Sequence, residues 1–445
     1  MTRWLLVFLG FQASFVRSGT DEAMPEVLSL RQRAEVMDQW LEIRLQTVVP
    51  ALMRREGIDM WVLSAREYNE DPVLKTMLPA TWFSARRRTI LVFFDPGPGA
   101  EIERLAIARY DIGGFFKSAW DKSKEPDQWR RLVGLIEEKQ PKKLALNRST
   151  SFALADGMTH REFESFWTVL PEPYRARVVS GEALAIGWLE TRIAEEMKVY
   201  PTICRIAHRI IAEGFSDKTV KPGTTTTYDV VWFFRERIRE LGLAAWFHPT
   251  VSIQRQEQPE HSGSFASRPE GDVILPGDVL HVDFGITYLG LNTDTQQHAY
   301  VLRPGEHAAP AGLNAAFKVG NRLQDILTAQ LKTGATGNEI LAGALKQAEA
   351  EGIKATIYTH PIGYHGHGAG PTIGLWDQQG GVPGKGDYPL NANTAYSIEL
   401  NAAVAIPEWN KEVRIMLEED GFFTGDRFYY IDGRQERLIL IDGSE

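Results

Sequence analysis

The sequence predicts an α/β N-terminal domain followed by an α+β C-terminal domain. Three observations lead there. The chain has 445 residues, beyond the roughly 250 to 300 at which a single hydrophobic core stops growing. Short apolar runs alternate with helical stretches up to about residue 185, the texture of an α/β layer. Beyond that, a long helical region gives way to strands in which single acidic residues interrupt apolar runs.

The elements follow in order. Leu28 to Glu56 carries apolar residues at helical spacing, enough for one or two amphipathic helices, and Gly57 ends them. The segments Asp59–Ser64, Arg88–Asp95 and Lys143–Asn147 are short apolar runs bounded by turn residues and read as strands, with a helix expected over Pro126 to Lys139. Glu190 to Gly214 reads as one long helix. Pro222-Gly223 breaks it, and Thr226 with Asp229 forms a capping box opening a helix through Leu241. Strands follow, with helices returning at about Ala311–Leu331 and Thr336–Gly352. A junction near 185 therefore separates residues 23–185 from residues 186–445.

Composition narrows the function classes. The chain is 43% hydrophobic and 24% charged, as ordinary globular proteins are. A net charge of -9 without a segregated basic patch argues against nucleic acid as a partner. The single cysteine, Cys204, excludes an intramolecular disulfide, a cysteine-based zinc site and a redox pair, so any metal must be held by His, Asp and Glu. At the N-terminus Arg3 precedes the apolar run Trp4 to Phe11, and small and polar residues follow through Thr20. That is the order of a secretory signal peptide, assigned here to residues 1–22, and it predicts export to a periplasmic or extracellular setting. The absence of an A-x-A cleavage site and the position of Arg17 keep a cytoplasmic N-terminal helix as the alternative. No other run approaches the about 20 apolar residues of a membrane span, so no membrane partner is expected after signal removal.

Four signals carry chemistry. Asp283 interrupts the apolar strand Val279–Gly285, where period-2 alternation puts His281 and Asp283 on one face. Asp294 follows the Gly290 turn, and a hairpin of residues 279–286 with 291–301 would set the two aspartates opposite each other. Carboxylates that close repel unless a cation lies between them. Taken alone, Asp294 reads as a turn residue and Asp283 as a strand-end cap. The glycine-rich segment Thr359–Gly370 holds three of the ten histidines, His360, His365 and His367, and suits a loop that places one imidazole on a metal. Glu399 and Glu418 end two further apolar strands. Each acid alone reads as a structural salt bridge, but four carboxylates with a histidine form the oxygen-rich set that holds two divalent ions. No G-x-S-x-G elbow, P-loop or G-x-G-x-x-G turn suggests competing chemistry.

At these residues the chain resembles the creatinase/aminopeptidase P/prolidase metallopeptidases of pita-bread fold. Leu275–Gly285 followed by Asp294 looks like their first metal signature, Gly366-His367-Gly-Ala-Gly370 like their G-H-x-x-G segment, Ile398-Glu399 like their I-E-P strand and Glu418-Glu419 like their E-D pair. The resemblance covers about residues 190 to 440 and implies a pita-bread catalytic domain behind a creatinase-type N-terminal domain. It implies two divalent ions, Mn2+ foremost, with Co2+ or Zn2+ as alternatives. Asp283 and Glu418 would serve both ions, Asp294 one, and His367 and Glu399 the other. Glu399 would also take a proton from a water shared by the ions, and His261 and His365 would contact substrate. Glu419 in place of Glu418, and His365 in place of His367, remain open.

The implied activity is a metal-dependent aminopeptidase or dipeptidase acting on Xaa-Pro peptides, with a homodimer as the family's usual assembly. Hydrolysis of a small non-peptide amide or C–N bond, and a non-catalytic peptide-binding module, are the alternatives. The match departs at several positions. Gly374 stands where a second histidine is usual seven residues beyond the ligand, Leu400 replaces the proline of I-E-P, Met416 replaces an arginine, and Gln296-Gln297 replaces a T-R pair.

Overall fold

The structure, a computed structural model, describes residues 23–257 and 271–442, so the expected signal peptide and His261 lie outside the described residues. The chain enters through α1 (Leu30–Glu56), where Ser29 accepts from the Gln32 backbone N–H and the Gln32 side chain returns to the Ser29 N–H. Gly57 closes the helix at φ 61°, a conformation that costs a side-chain-bearing residue energy. The first sheet contains β1 (Met60–Arg66), β2 (Arg88–Phe94), β3 (Glu103–Ala106), β4 (Lys117–Ser118), β5 (Leu144–Leu146) and β6 (Val178–Ser180) in the order β4-β3-β2-β1-β5-β6. β1 pairs antiparallel with β2 and parallel with β5.

Strand alternation gives this sheet two buried faces. Met60, Val62, Ile90 and Val92 meet Leu132, Ile136 and Phe166 of the helices Gln128–Lys139 and His160–Val169, while Trp61, Leu63, Leu91 and Phe93 share a core with α1. Each large apolar side chain so buried contributes about 1.5 to 3 kcal/mol.

The helix Glu182–Glu190, here α2, is buried from Leu184 to Glu190 and spans the expected junction near 185. The long helix expected from Glu190 does not form as one piece. The chain is extended at Ile193 and restarts as α3 (Ala194–Gly214). Tertiary contacts draw the intervening residues out of the helix: Thr191 bridges to Thr394, and the Arg192 N–H donates to the Asn393 carbonyl at 2.7 Å. The expected capping box at Thr226 and Asp229 opens α4 (Thr227–Glu240), and a second at Thr336 and Glu339 opens the helix Gly337–Ala350.

Among the described residues three larger sheets and a two-stranded pair build the C-terminal half. One contains β7 (Thr250–Gln254), β8 (Val279–Phe284) and β11 (Thr295–Val301), with β9 (Thr287–Tyr288) and β10 (Leu291–Asn292) forming a separate short pair between the last two. The hairpin register differs from the expectation. Asp283 faces Gln296, and Asp294 precedes β11 by one residue, diagonal to Asp283. The other two sheets are built from β12 (Lys354–Ile357), β13 (His360–Ile362), β14 (Thr394–Ser397), β15 (Leu400–Ile406), β16 (Lys411–Leu417), β17 (Asp420–Phe423) and β18 (Phe428–Tyr430), in the orders β12-β15-β16 and β13-β14-β17-β18. The helices Ala311–Thr328 and Gly337–Ala350 cover the first through Phe317, Leu323, Leu341, Leu400 and Ile415. Among the described residues no helix is long and apolar enough to cross a membrane.

One buried ion pair ties the halves together. Arg44 of α1 and Glu196 of α3 lie 3.2 Å apart with both side chains fully buried. Arg44 also donates to the Thr191 and Trp188 carbonyls, and the Tyr364 hydroxyl donates to Glu196 at 2.9 Å. Burial raises the Glu196 pKa, but Arg192 and Arg44 outweigh it and hold the carboxyl below its usual value. Arg44→Ala leaves the buried Glu196 paired with Arg192 alone, 3.5 Å away, and removes the donor to two carbonyls, and should cost about 1 to 3 kcal/mol in denaturant unfolding. A loss below about 1 kcal/mol would show that the pair does not join the halves.

Candidate metal centre

The four acids converge from separate strands. Asp283 lies near the end of β8, Asp294 just before β11, Glu399 between β14 and β15, and Glu418 between β16 and β17. The Gln296–Glu418 bridge fastens β11 to the β16–β17 turn. Potential ligand atoms of Asp283, Asp294 and Glu418 all lie within 4.8 Å of one another, as do those of His360, Glu399 and Glu418, and those of Asp294, His360 and His367. Glu418 is common to the first two groups.

The electrostatics of this cluster call for a cation. Burial, then the charges of Glu418, Asp283 and Glu399, push the Asp294 carboxyl well above the usual range. Glu399 is likewise raised by burial, then by Glu418 and Asp283, with a hydrogen bond from Gln296 opposing. The His360 Nδ1 lies 3.0 Å from the Pro361 carbonyl, which can only accept, so Nδ1 carries the proton in the neutral ring. Its Nε2 then presents a lone pair 3.5 Å from Glu418, 3.7 Å from Asp294 and 3.9 Å from Glu399. Among the described residues neither that nitrogen nor the buried Asp294 Oδ1 has a hydrogen-bond partner. A lone pair aimed at carboxylates is unfavourable unless a positive ion lies between them, and this donor set fits a divalent metal.

His360, which sequence reasoning did not count among the candidate ligands, joins two of these groups. A signal was present: His360 precedes His367 by seven residues, the spacing at which the resembled family repeats its histidine. His367 itself is exposed, its ring 4.8 Å from His360 and 5.3 Å from Trp246. Gly366 permits that arrangement, since a Cβ there would lie 2.4 Å from the Trp246 ring. His365 is not brought into these groups. Burial, then Arg192 and Lys75, lower its pKa to about 4, and its buried Nε2 has no hydrogen-bond partner among the described residues.

The adjacent acids also part company. Glu418 joins the cluster, whereas Glu419 turns away to accept from Gln297 at 3.0 Å and from the Gln435 backbone N–H at 3.1 Å, and lies 2.7 Å from His208 Nε2. His208 Nδ1 lies 3.2 Å from Asp432.

The sequence description of Metallopeptidase family M24 matches residues 201–423, half of the chain. The chain belongs to this family. Its fold is that of the M24 pita-bread enzymes behind an N-terminal α/β domain, and solved structures agree. X-Pro aminopeptidase from Thermotoga maritima superposes with a TM-score of 0.61 at 16% identity, covering 88% of this chain and 99% of its own. Xaa-Pro dipeptidase from Bacillus anthracis gives 0.56 at 17% identity over 93% and 100%, and a variant of Escherichia coli aminopeptidase P gives 0.59 at 13% identity over 89% and 96%. No curated protein matches the chain. The family is metal-dependent, and the acidic and histidine groups of this chain could hold metal.

The His208 clamp in this M24 chain carries its own pH signature. Burial lowers the imidazole pKa, but Glu419 and Asp432 outweigh it and raise it to about 10 from 6.5. A raised folded-state pKa gives stability that is complete below about pH 6.5 and lost as pH climbs toward 10. The unfolding free energy of wild type minus His208→Gln should therefore decline between about pH 7 and 10. A pH-independent difference would show that the imidazolium is not held there.

Proposed function

We propose that this chain is a dinuclear-metal peptidase that removes an N-terminal residue from peptides or splits dipeptides, with Xaa-Pro bonds as its substrate class. The observation that carries the proposal is the imidazole lone pair of His360 directed at three carboxylates, two of them buried, in a member of M24. In this reading Asp283, Asp294 and Glu418 hold one ion and His360, Glu399 and Glu418 the other. His360 takes the ligand position that motif matching gave to His367. Mn2+ suits the carboxylate-rich set best, with Co2+ and Zn2+ also compatible. Two such ions, when bound, lower the pKa of a shared water and polarise the scissile carbonyl.

The protein's own groups supply the remaining functions. Glu399, with a carboxyl pushed above its usual range, is the group suited to receive a proton from the attacking water and pass it to the leaving amine. His367, exposed beside His360, is placed to donate to the oxygen of the substrate carbonyl as charge develops there. Its pKa is lowered to about 4, by burial first and then by His360, so it donates as a neutral ring. The similar solved structures are an X-Pro aminopeptidase and an Xaa-Pro dipeptidase, which supports this substrate class, and the residues expected to form a signal peptide support an exported setting.

Metal content and hydrolysis of Xaa-Pro dipeptides and tripeptides with added Mn2+, compared between wild type and Asp283→Ala, test the proposal together. Wild type should hold about two ions per chain, and the variant should lose more than about 100-fold in turnover, the upper range for losing only an outer partner of a metal ligand. Bound metal without turnover would move the substrate to another amide. A wild type that binds no metal under any condition would overturn the proposal.

A further inference from the structure

Gln296 stands where the resembled family carries the threonine of its T-R pair, and it is the residue that touches both glutamates of the cluster. Its Nε2 donates to Glu399 Oε1 at 2.6 Å and to Glu418 Oε2 at 2.8 Å. Its Oε1 lies 2.9 Å from His281 Nε2, and both Gln296 and His281 are buried. Chemistry fixes the orientation. Ionised carboxylates only accept, so the amide nitrogen faces them, its oxygen faces the imidazole, and His281 donates from Nε2.

The contact sorts the carboxylate oxygens. Each glutamate gives one oxygen to the amide, while Glu418 Oε1, which also accepts from the Ser397 hydroxyl at 2.6 Å, lies 3.5 Å from His360 Nε2 and Glu399 Oε2 lies 3.9 Å from it. A threonine hydroxyl has one hydrogen to donate and cannot bridge two carboxylates, whereas a primary amide has two. His281 holds the amide in turn. Buried behind it, His298 donates from Nδ1 to the Leu280 carbonyl and accepts at Nε2 from the Met416 N–H, 5.1 Å from the His281 ring.

We propose that Gln296, held by His281, is a positioning residue that sets the metal affinity of the His360–Glu399–Glu418 half of the site by presenting one oxygen of each glutamate to the ion. This rests on the dinuclear reading above. Supporting partners of metal ligands commonly govern affinity by about 10- to 100-fold.

Calorimetric titration of the metal-free full-length protein with Co2+, alongside the visible absorption of bound Co2+, tests the proposal without recourse to activity. Gln296→Ala should weaken one of the two equivalents about 10- to 100-fold and change the Co2+ spectrum. Gln296→Thr should behave like the alanine variant. His281→Phe keeps a ring but removes the donor, and should weaken the same equivalent, with no further loss when combined with Gln296→Ala. If Gln296→Ala does not fold, the threonine and His281→Phe variants still decide the matter. Wild-type affinity and an unchanged spectrum in Gln296→Thr and His281→Phe would overturn the role of Gln296 while leaving the metal site standing. No Co2+ binding by wild type would instead overturn the dinuclear reading on which the role depends.

Discussion

Asp283, Asp294, Glu399 and Glu418 share one buried volume, and the C-terminal half is arranged around the repulsion this creates. The molecule answers the same problem in two ways. Glu419 and Asp432 are met by His208, which their charges hold protonated, and Arg205 also pairs with Asp432. Around Asp294, Glu399 and Glu418, the ion pairs among the described residues all run to His360. A single imidazole cannot balance three carboxylates, and its remaining hydrogen-bond arrangement leaves a lone pair facing them. Among the described residues the internal cation that meets Glu419 has no counterpart beside Glu418, and the proposed metal would supply that charge.

That arrangement depends on contacts far from the acids. Arg44 of the N-terminal domain pairs with Glu196, and Glu196 receives the hydroxyl of Tyr364, three residues before His367. Arg44 and Arg192 both lie over the Tyr364 ring. The N-terminal domain thus braces the histidine-bearing segment through a buried charge pair. In M24 terms the accessory domain contributes to the placement of a segment that reaches the site.

Much of the acidic site was legible because an acid inside an apolar strand breaks the pattern. Asp283, Glu399 and Glu418 stand out for that reason, and the capping box at Thr226 was legible because it is a local device. The approach of His360 to the acids was not, since glycine-rich spacing permits more than one register and the strand pairing of His360 with Ser397 is a tertiary contact. The break between α2 and α3 escaped because Thr191 and Arg192 are helix-compatible until Thr394 and Asn393 engage them. Gln296 showed as a departure from a motif, yet its contact with two glutamates depends on the bridge between β11 and the β16–β17 turn.

The most direct test of the charge argument is to locate bound metal in crystals grown with Mn2+, by anomalous diffraction. The account predicts two peaks about 3.5 to 4 Å apart, one against Asp283, Asp294 and Glu418 and the other against His360, Glu399 and Glu418. Crystals saturated with Mn2+ that show no peak among these residues, with Asp294 and Glu399 packed against each other as protonated acids, would contradict it.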